Sequence, residues 1–188
     1  MTNHIDKLQS EHTDFAKLLD LLEAQIGLFR HGERPDYNLM LDIFYYMTNY
    51  PDRFHHPKED LAFARLAERD AGTRPAVEEL GRQHRVIAES GSRFVGNLNA
   101  ALAGAMLTRE SVERPGLEYV AFYRNHMKME ERELFPIART LLRDDDWVEI
   151  GAAIAPTGDP LFGSRVEERF RTIHQQIARG AGCGCAVD

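Results

Sequence analysis

Arg53-Phe54-His55-His56-Pro57-Lys58-Glu59 returns later in the chain as Arg124-Asn125-His126-Met127-Lys128-Met129-Glu130, so Arg-x-His-x-x-x-Glu occurs twice. A shorter motif precedes each copy. Leu8-Gln9-Ser10-Glu11-His12 and Leu80-Gly81-Arg82-Gln83-His84 share Leu-x-x-x-His. His12 precedes His55 by about 43 residues and His84 precedes His126 by about 42, each span being long enough for two helices and a turn. Four residues are about one helical turn, so each His and its Glu lie on one face. The repeat reads as two helix pairs, each carrying one His and then one His-x-x-x-Glu.

The surrounding sequence is helical by its periodicity. Ile5, Leu8, Phe15, Leu18, Leu19, Leu22, Ile26 and Phe29 form one apolar stripe of a first helix that ends near His31-Gly32. Asp36 can cap a second helix, Tyr37 to about Arg69, which must bend at Pro51 and Pro57 because each removes a backbone donor. Ala71 to Pro75 reads as a loop, Ala76 to Ala103 as a third helix and Gly104 as its stop. Thr108 caps a fourth helix that carries His126 and Glu130 to roughly Leu142. Asp144 to Ile154 and Ser164 to Ala178 follow as shorter helices, with a small tail from Gly180. The expected fold is therefore all-α: an up-down-up-down antiparallel four-helix bundle over residues 1–155, with a C-terminal helix and tail over 156–188.

In antiparallel neighbours, equal distance from the shared loop means equal height. With loops near residues 34, 72 and 106, His12 and His55 stand about 22 and 21 residues from the first, Glu59 and His84 about 13 and 12 from the second, and His84 and His126 about 22 and 20 from the third. Glu59 and Glu130 follow their histidines by one turn. His4 and His31 fall at other heights, and His174 lies beyond the bundle, facing solvent.

Composition narrows the chemistry. Over 188 residues, 43% are hydrophobic and 28% charged, enough for a core without a metal or disulfide. The formal charge of −7 and the absence of a basic stripe argue against nucleic acid. The apolar runs are far shorter than the ~20 residues of a membrane span, and the N-terminus has no apolar signal segment. Two cysteines, Cys183 and Cys185, stand at the extreme end and point to a reducing cytoplasm. That Cys-x-Cys tail is either an exposed end or a soft-metal or thiol pair.

A single buried His is usually a hydrogen-bonded core residue, and a buried carboxylate without a partner is costly. Four histidines and two glutamates at one level are more economically read as metal ligands. His12, His55, Glu59, His84, His126 and Glu130 suit a pair of iron or manganese ions, with each Glu able to bridge them. His56 and Glu131 compete with His55 and Glu130, but only the latter two obey the repeat. His56 is then a residue that supports a ligand or faces solvent. Tyr45, Tyr46, Tyr50, Tyr119 and Tyr123 read as core aromatics.

At these residues the sequence resembles the hemerythrin-like family of histidine-histidine-glutamate cation-binding domains. His55-His56-Pro57-Lys58-Glu59-Asp60 and His126 through Pro136 are similar to its two signature segments. The resemblance implies a bundle with a carboxylate-bridged centre of two iron ions, manganese or zinc being alternatives. It implies small ligands such as dioxygen, nitric oxide or peroxide, and roles in iron homeostasis, stress response or iron–sulfur cluster repair. The oxygen carriers of that family place a fifth His at the position held here by Ala88, and a carboxylate at that of Glu131. The four-His, two-Glu pattern resembles the repair and sensing relatives more. A homodimer is a further expectation, and the rival expectation is a partner-binding helical module with a structural metal. No general acid or base beyond the six residues stands out, which weakens an enzymatic reading.

Overall fold

In a computed structural model, residues 4–105, 108–154 and 157–180 are described, and no strand occurs among them. Helix α1 spans His4–Arg30. The second arm consists of α2 (Tyr37–Asn49), a π-helical turn (Pro51–His55) and α3 (His56–Arg69). After a 3₁₀ turn (Ala71–Thr73), α4 spans Arg74–Leu102. The fourth arm is α5 (Arg109–Met129), a second π-helical turn (Glu130–Leu134) and α6 (Phe135–Leu141). Helix α7 (Asp144–Ala153) and α8 (Arg171–Gly180) complete the chain.

Pairings between the arms show opposed directions. Asp6 and Gln9 of α1 meet Arg139, His12 meets Glu131, and Asp20 and Glu23 meet Arg124, so rising numbers on one helix face falling numbers on the other. On α4, His84 meets Asp60 and Gly91 approaches Thr48, again in opposite senses. The expected caps are present. The Asp36 carboxylate accepts from the N–H groups of Asn38 and Leu39, and Thr108 accepts from Ser111.

The two π-helical turns have a common cause in sequence. Proline two residues beyond each turn, Pro57 and Pro136, has no N–H, and its ring crowds the carbonyl four residues back. A widened turn relieves that crowding. The N–H of His56 donates to the Pro51 carbonyl and that of Phe135 to the Glu130 carbonyl, each reaching back five residues instead of four. The expected bend of the second helix is therefore this one-residue widening, and the fourth arm repeats it.

Two apolar clusters flank a polar layer. The larger includes Phe15, Leu18, Leu22, Phe44, Phe94 and Tyr123, and the smaller includes Ile5, Leu8, Phe63, Leu80, Phe135 and Trp147. The repeat's leading residues, Leu8 and Leu80, are both in the smaller cluster.

The C-terminal part departs from its expected helix. Residues 164–167 are non-helical, a 3₁₀ turn covers Glu168–Phe170, and α8 starts only at Arg171. The reason is local. Asp159 accepts from the N–H groups of Leu161 and Phe162 and from the Tyr46 hydroxyl, while the Glu167 N–H donates to the Pro160 carbonyl. These bonds hold a loop that buries Leu161, Phe170 and Ile173 in the larger cluster. Cys183 and Cys185 lie outside the described residues.

Candidate metal centre

Each side chain of the polar layer is aimed by its helix. His12 comes from α1, His55 from the end of the first π-helical turn, His56 and Glu59 from α3, His84 from α4, His126 from α5 and Glu130 from the start of the second π-helical turn. All seven are buried, and Glu59 and Glu130 have no exposed surface. His4 instead stacks on Trp147 at 4.8 Å, away from this layer, and His174 is exposed. Tyr46, Tyr50, Tyr119 and Tyr123 are core residues, whereas Tyr45 stands at the surface beneath Arg169.

The inward nitrogens and carboxylate oxygens lie close together. His12 Nε2 is 3.1 Å from His55 Nε2. Glu59 Oε1 lies 3.4 Å from His12 Nε2 and 3.1 Å from His55 Nε2, while its other oxygen faces His84 Nε2 at 3.7 Å. Glu130 Oε2 lies 3.4 Å from both His12 Nε2 and His126 Nε2, and Oε1 is 3.5 Å from His84 Nε2. Two groups with metal-binding spacing result: His12, His55 and Glu59 in one, and His56, Glu59, His84 and His126 in the other. Glu59 belongs to both.

The outward nitrogens are held by a second ring of residues. His12 Nδ1 meets Glu131 at 3.0 Å, His55 Nδ1 meets Glu11 at 2.7 Å, His84 Nδ1 meets Asp60 at 2.8 Å and His126 Nδ1 meets Gln83 at 3.1 Å. Such partners fix ring orientation and leave Nε2 directed inward. Glu131 is thus a support for His12 at the edge of the layer, and Glu130 is the glutamate that points to its centre. His56 is only 4% exposed, its ring stacked on His84 at 4.3 Å, so the expectation of a solvent-facing side chain does not hold. The repeat could not reveal it, because its counterpart is Met127.

The donor set fits a metal better than it fits an empty core. Both oxygens of Glu59, both of Glu130, and the Nε2 atoms of His84 and His126 are buried without a hydrogen-bond partner. Polar atoms left so would each cost on the order of 1–3 kcal/mol, and nitrogen with carboxylate oxygen is a donor set for divalent or trivalent first-row metals. Two surface grooves flank the fourth arm beside the layer. One, of about 320 Å³, reaches His12 past Arg124 and Glu131, and the other, of about 410 Å³, reaches His126 past Gln83 and Arg132.

A model of the hemerythrin HHE cation-binding domain matches residues 3–138. The chain belongs to that family. Comparison with curated proteins and with solved structures finds no match. The hemerythrin domain covers all four arms and every residue of the buried layer, and stops within α6. No helix among the described residues is long and apolar enough to cross a membrane.

The electrostatics of this hemerythrin-type layer give a pH dependence. Burial opposes charge on His12, but the bond to Glu131 and the charges of Glu59 and Glu130 hold it up to about 10. Burial likewise opposes charge on His84, and Asp60, Glu130 and Glu59 hold it up to about 10. Burial and the neighbouring Glu59 push Glu130 up to about 7. Burial, with the His84 and His56 rings, pushes His126 down to about 2. A histidine whose value is raised on folding adds stability that is complete below 6.5 and lost as pH rises through the raised value. His126 acts only below 6.5, where it subtracts. The metal-free protein is therefore expected to lose several degrees of thermal midpoint between pH 7 and 10, read by thermal denaturation in chelator. A midpoint that is flat or rising across that window would contradict the charged His12 and His84.

Proposed function

We propose that the chain is a cytoplasmic hemerythrin-like protein whose His12, His55, Glu59, His84, His126 and Glu130 hold two iron ions. It binds or reacts with dioxygen, nitric oxide or peroxide in iron homeostasis, stress response or iron–sulfur cluster repair. The observation that supports this most is Glu59. Its two buried oxygens have no hydrogen-bond partner and face different histidine groups, as a carboxylate shared by two ions would. When bound, such a pair of ions supplies redox change and Lewis acidity toward a small ligand. The residues of the chain do the rest. Glu11, Asp60, Gln83 and Glu131 orient the histidines, the flanking apolar clusters exclude bulk water, and surface grooves lie beside His12 and His126.

The test is metal analysis and optical spectroscopy of protein purified from iron-supplied cells. About two iron ions per chain are expected, with near-ultraviolet absorption that changes on adding azide or nitric oxide. Trace iron, or a spectrally silent zinc site, would overturn the reading and favour the structural-metal module.

A further inference from the structure

His56 is not required by the repeat, yet it lies inside the layer. We propose that it is a seventh protein ligand, giving one of the two ions a third histidine. The inference rests on the two-ion reading above and adds to it a residue from the second arm.

Three observations carry it. A ring nitrogen of His56 lies within 4.8 Å of ligand atoms of Glu59, His84 and His126, each of which is equally close to the others. The histidines then divide into three and two about Glu59, with His12 and His55 on the far side. The His56 ring stacks on His84 at 4.3 Å and meets the His126 ring edge-on at 5.6 Å, so it is packed among these rings and not beside them. Its Nδ1 lies 3.1 Å from an Asp52 oxygen without making a hydrogen bond, unlike the outward nitrogens of His12, His55 and His84. Its Nε2 lies 3.2 Å from the Tyr123 hydroxyl.

The backbone explains how two successive histidines both face inward. In a regular α-helix neighbours point about 100° apart, and one of the pair would turn outward. The π-helical turn at Pro51–His55 inserts an extra residue just before His56. It turns His55 toward His12 and His56 toward His84 and His126, so Glu59, one turn on, stands between them. In this reading the turn preceding Pro57 sorts the two histidines between the two ions.

Two measurements on the full chain test the assignment. The first is proton NMR of the cobalt(II)-loaded protein, in which each metal-bound imidazole contributes one strongly shifted, solvent-exchangeable N–H. Five such signals are expected, one from each of His12, His55, His56, His84 and His126; four would overturn the proposal. The second is metal analysis of His56→Ala beside Tyr123→Phe. His56→Ala should fall from about two ions to about one, while Tyr123→Phe keeps both. Two ions retained in His56→Ala, at parental affinity, would overturn it. If His56→Ala does not fold, the proton count decides. Fewer than two ions in the parent protein would sink the two-ion reading itself, a different failure from two ions with four signals.

Discussion

Replacing Glu59 with alanine is expected to take the protein from about two bound metal ions per chain to almost none. No other residue of the layer belongs to both donor groups, and its two oxygens are spent on different sides. Removing it strips both donor groups of their carboxylate, leaving His12 with His55 on one side, His56, His84 and His126 on the other, and Glu130 alone to serve both. Binding to the folded state alone stabilises in proportion to the logarithm of ligand over dissociation constant, about 4 kcal/mol at a thousandfold excess. For a chain of this size that is roughly 10 °C of thermal midpoint. The parent should therefore gain about that much on metal addition, and Glu59→Ala next to nothing. Glu131→Ala supplies the contrast, since Glu131 meets the outward nitrogen of His12 and not the inward one. It should keep both ions with affinity lowered on the order of 10–100-fold. A Glu59→Ala protein that still carries two ions, or a Glu131→Ala protein that carries none, would show that the inward face has been assigned to the wrong glutamates.

Much of this centre is legible in the amino-acid sequence because its parts repeat. His12 with His84, His55 with His126 and Glu59 with Glu130 fall at matching heights, and helical periodicity alone places each pair on one face. Six of the seven inward residues follow from that argument. His56 does not, since height and face calculations assume a uniform α-helix and the widened turn at Pro51–His55 breaks that assumption by one residue. Pro51 and Pro57 mark where the helix must adjust, but proline chemistry alone does not choose between a kink, a break and a π-helical turn. The non-helical course of Ser164 to Glu167 is hidden for a related reason. Its apolar spacing is helical, while the Asp159 carboxylate accepts locally from Leu161 and Phe162 and is anchored by the Tyr46 hydroxyl, a tertiary bond that periodicity does not show.

Phe15→Ala is expected to cost about 3–5 kcal/mol of folding stability, the range for deleting a fully buried aromatic ring. Phe15 has no exposed surface and lies one turn from His12 on α1. Its ring meets His55 edge-on at 4.8 Å, and Tyr46 and Tyr123 edge-on at 6.3 Å each. It therefore joins the larger apolar cluster to the buried layer, and no neighbouring side chain can fill its space without leaving the cluster. Urea denaturation of the metal-free variant should show a lower midpoint with an unchanged slope, and the thermal midpoint should fall by roughly 10 °C. A second effect follows from position. The cavity opens beside His55, where water can then reach nitrogens that the ring now shields, and metal affinity should fall on the order of tenfold while the stoichiometry holds. Phe15→Leu, which refills most of the volume with apolar atoms, should recover more than half of the stability. If Phe15→Ala costs under about 1 kcal/mol and leaves metal affinity untouched, the ring does not form the wall between core and metal layer that these contacts describe.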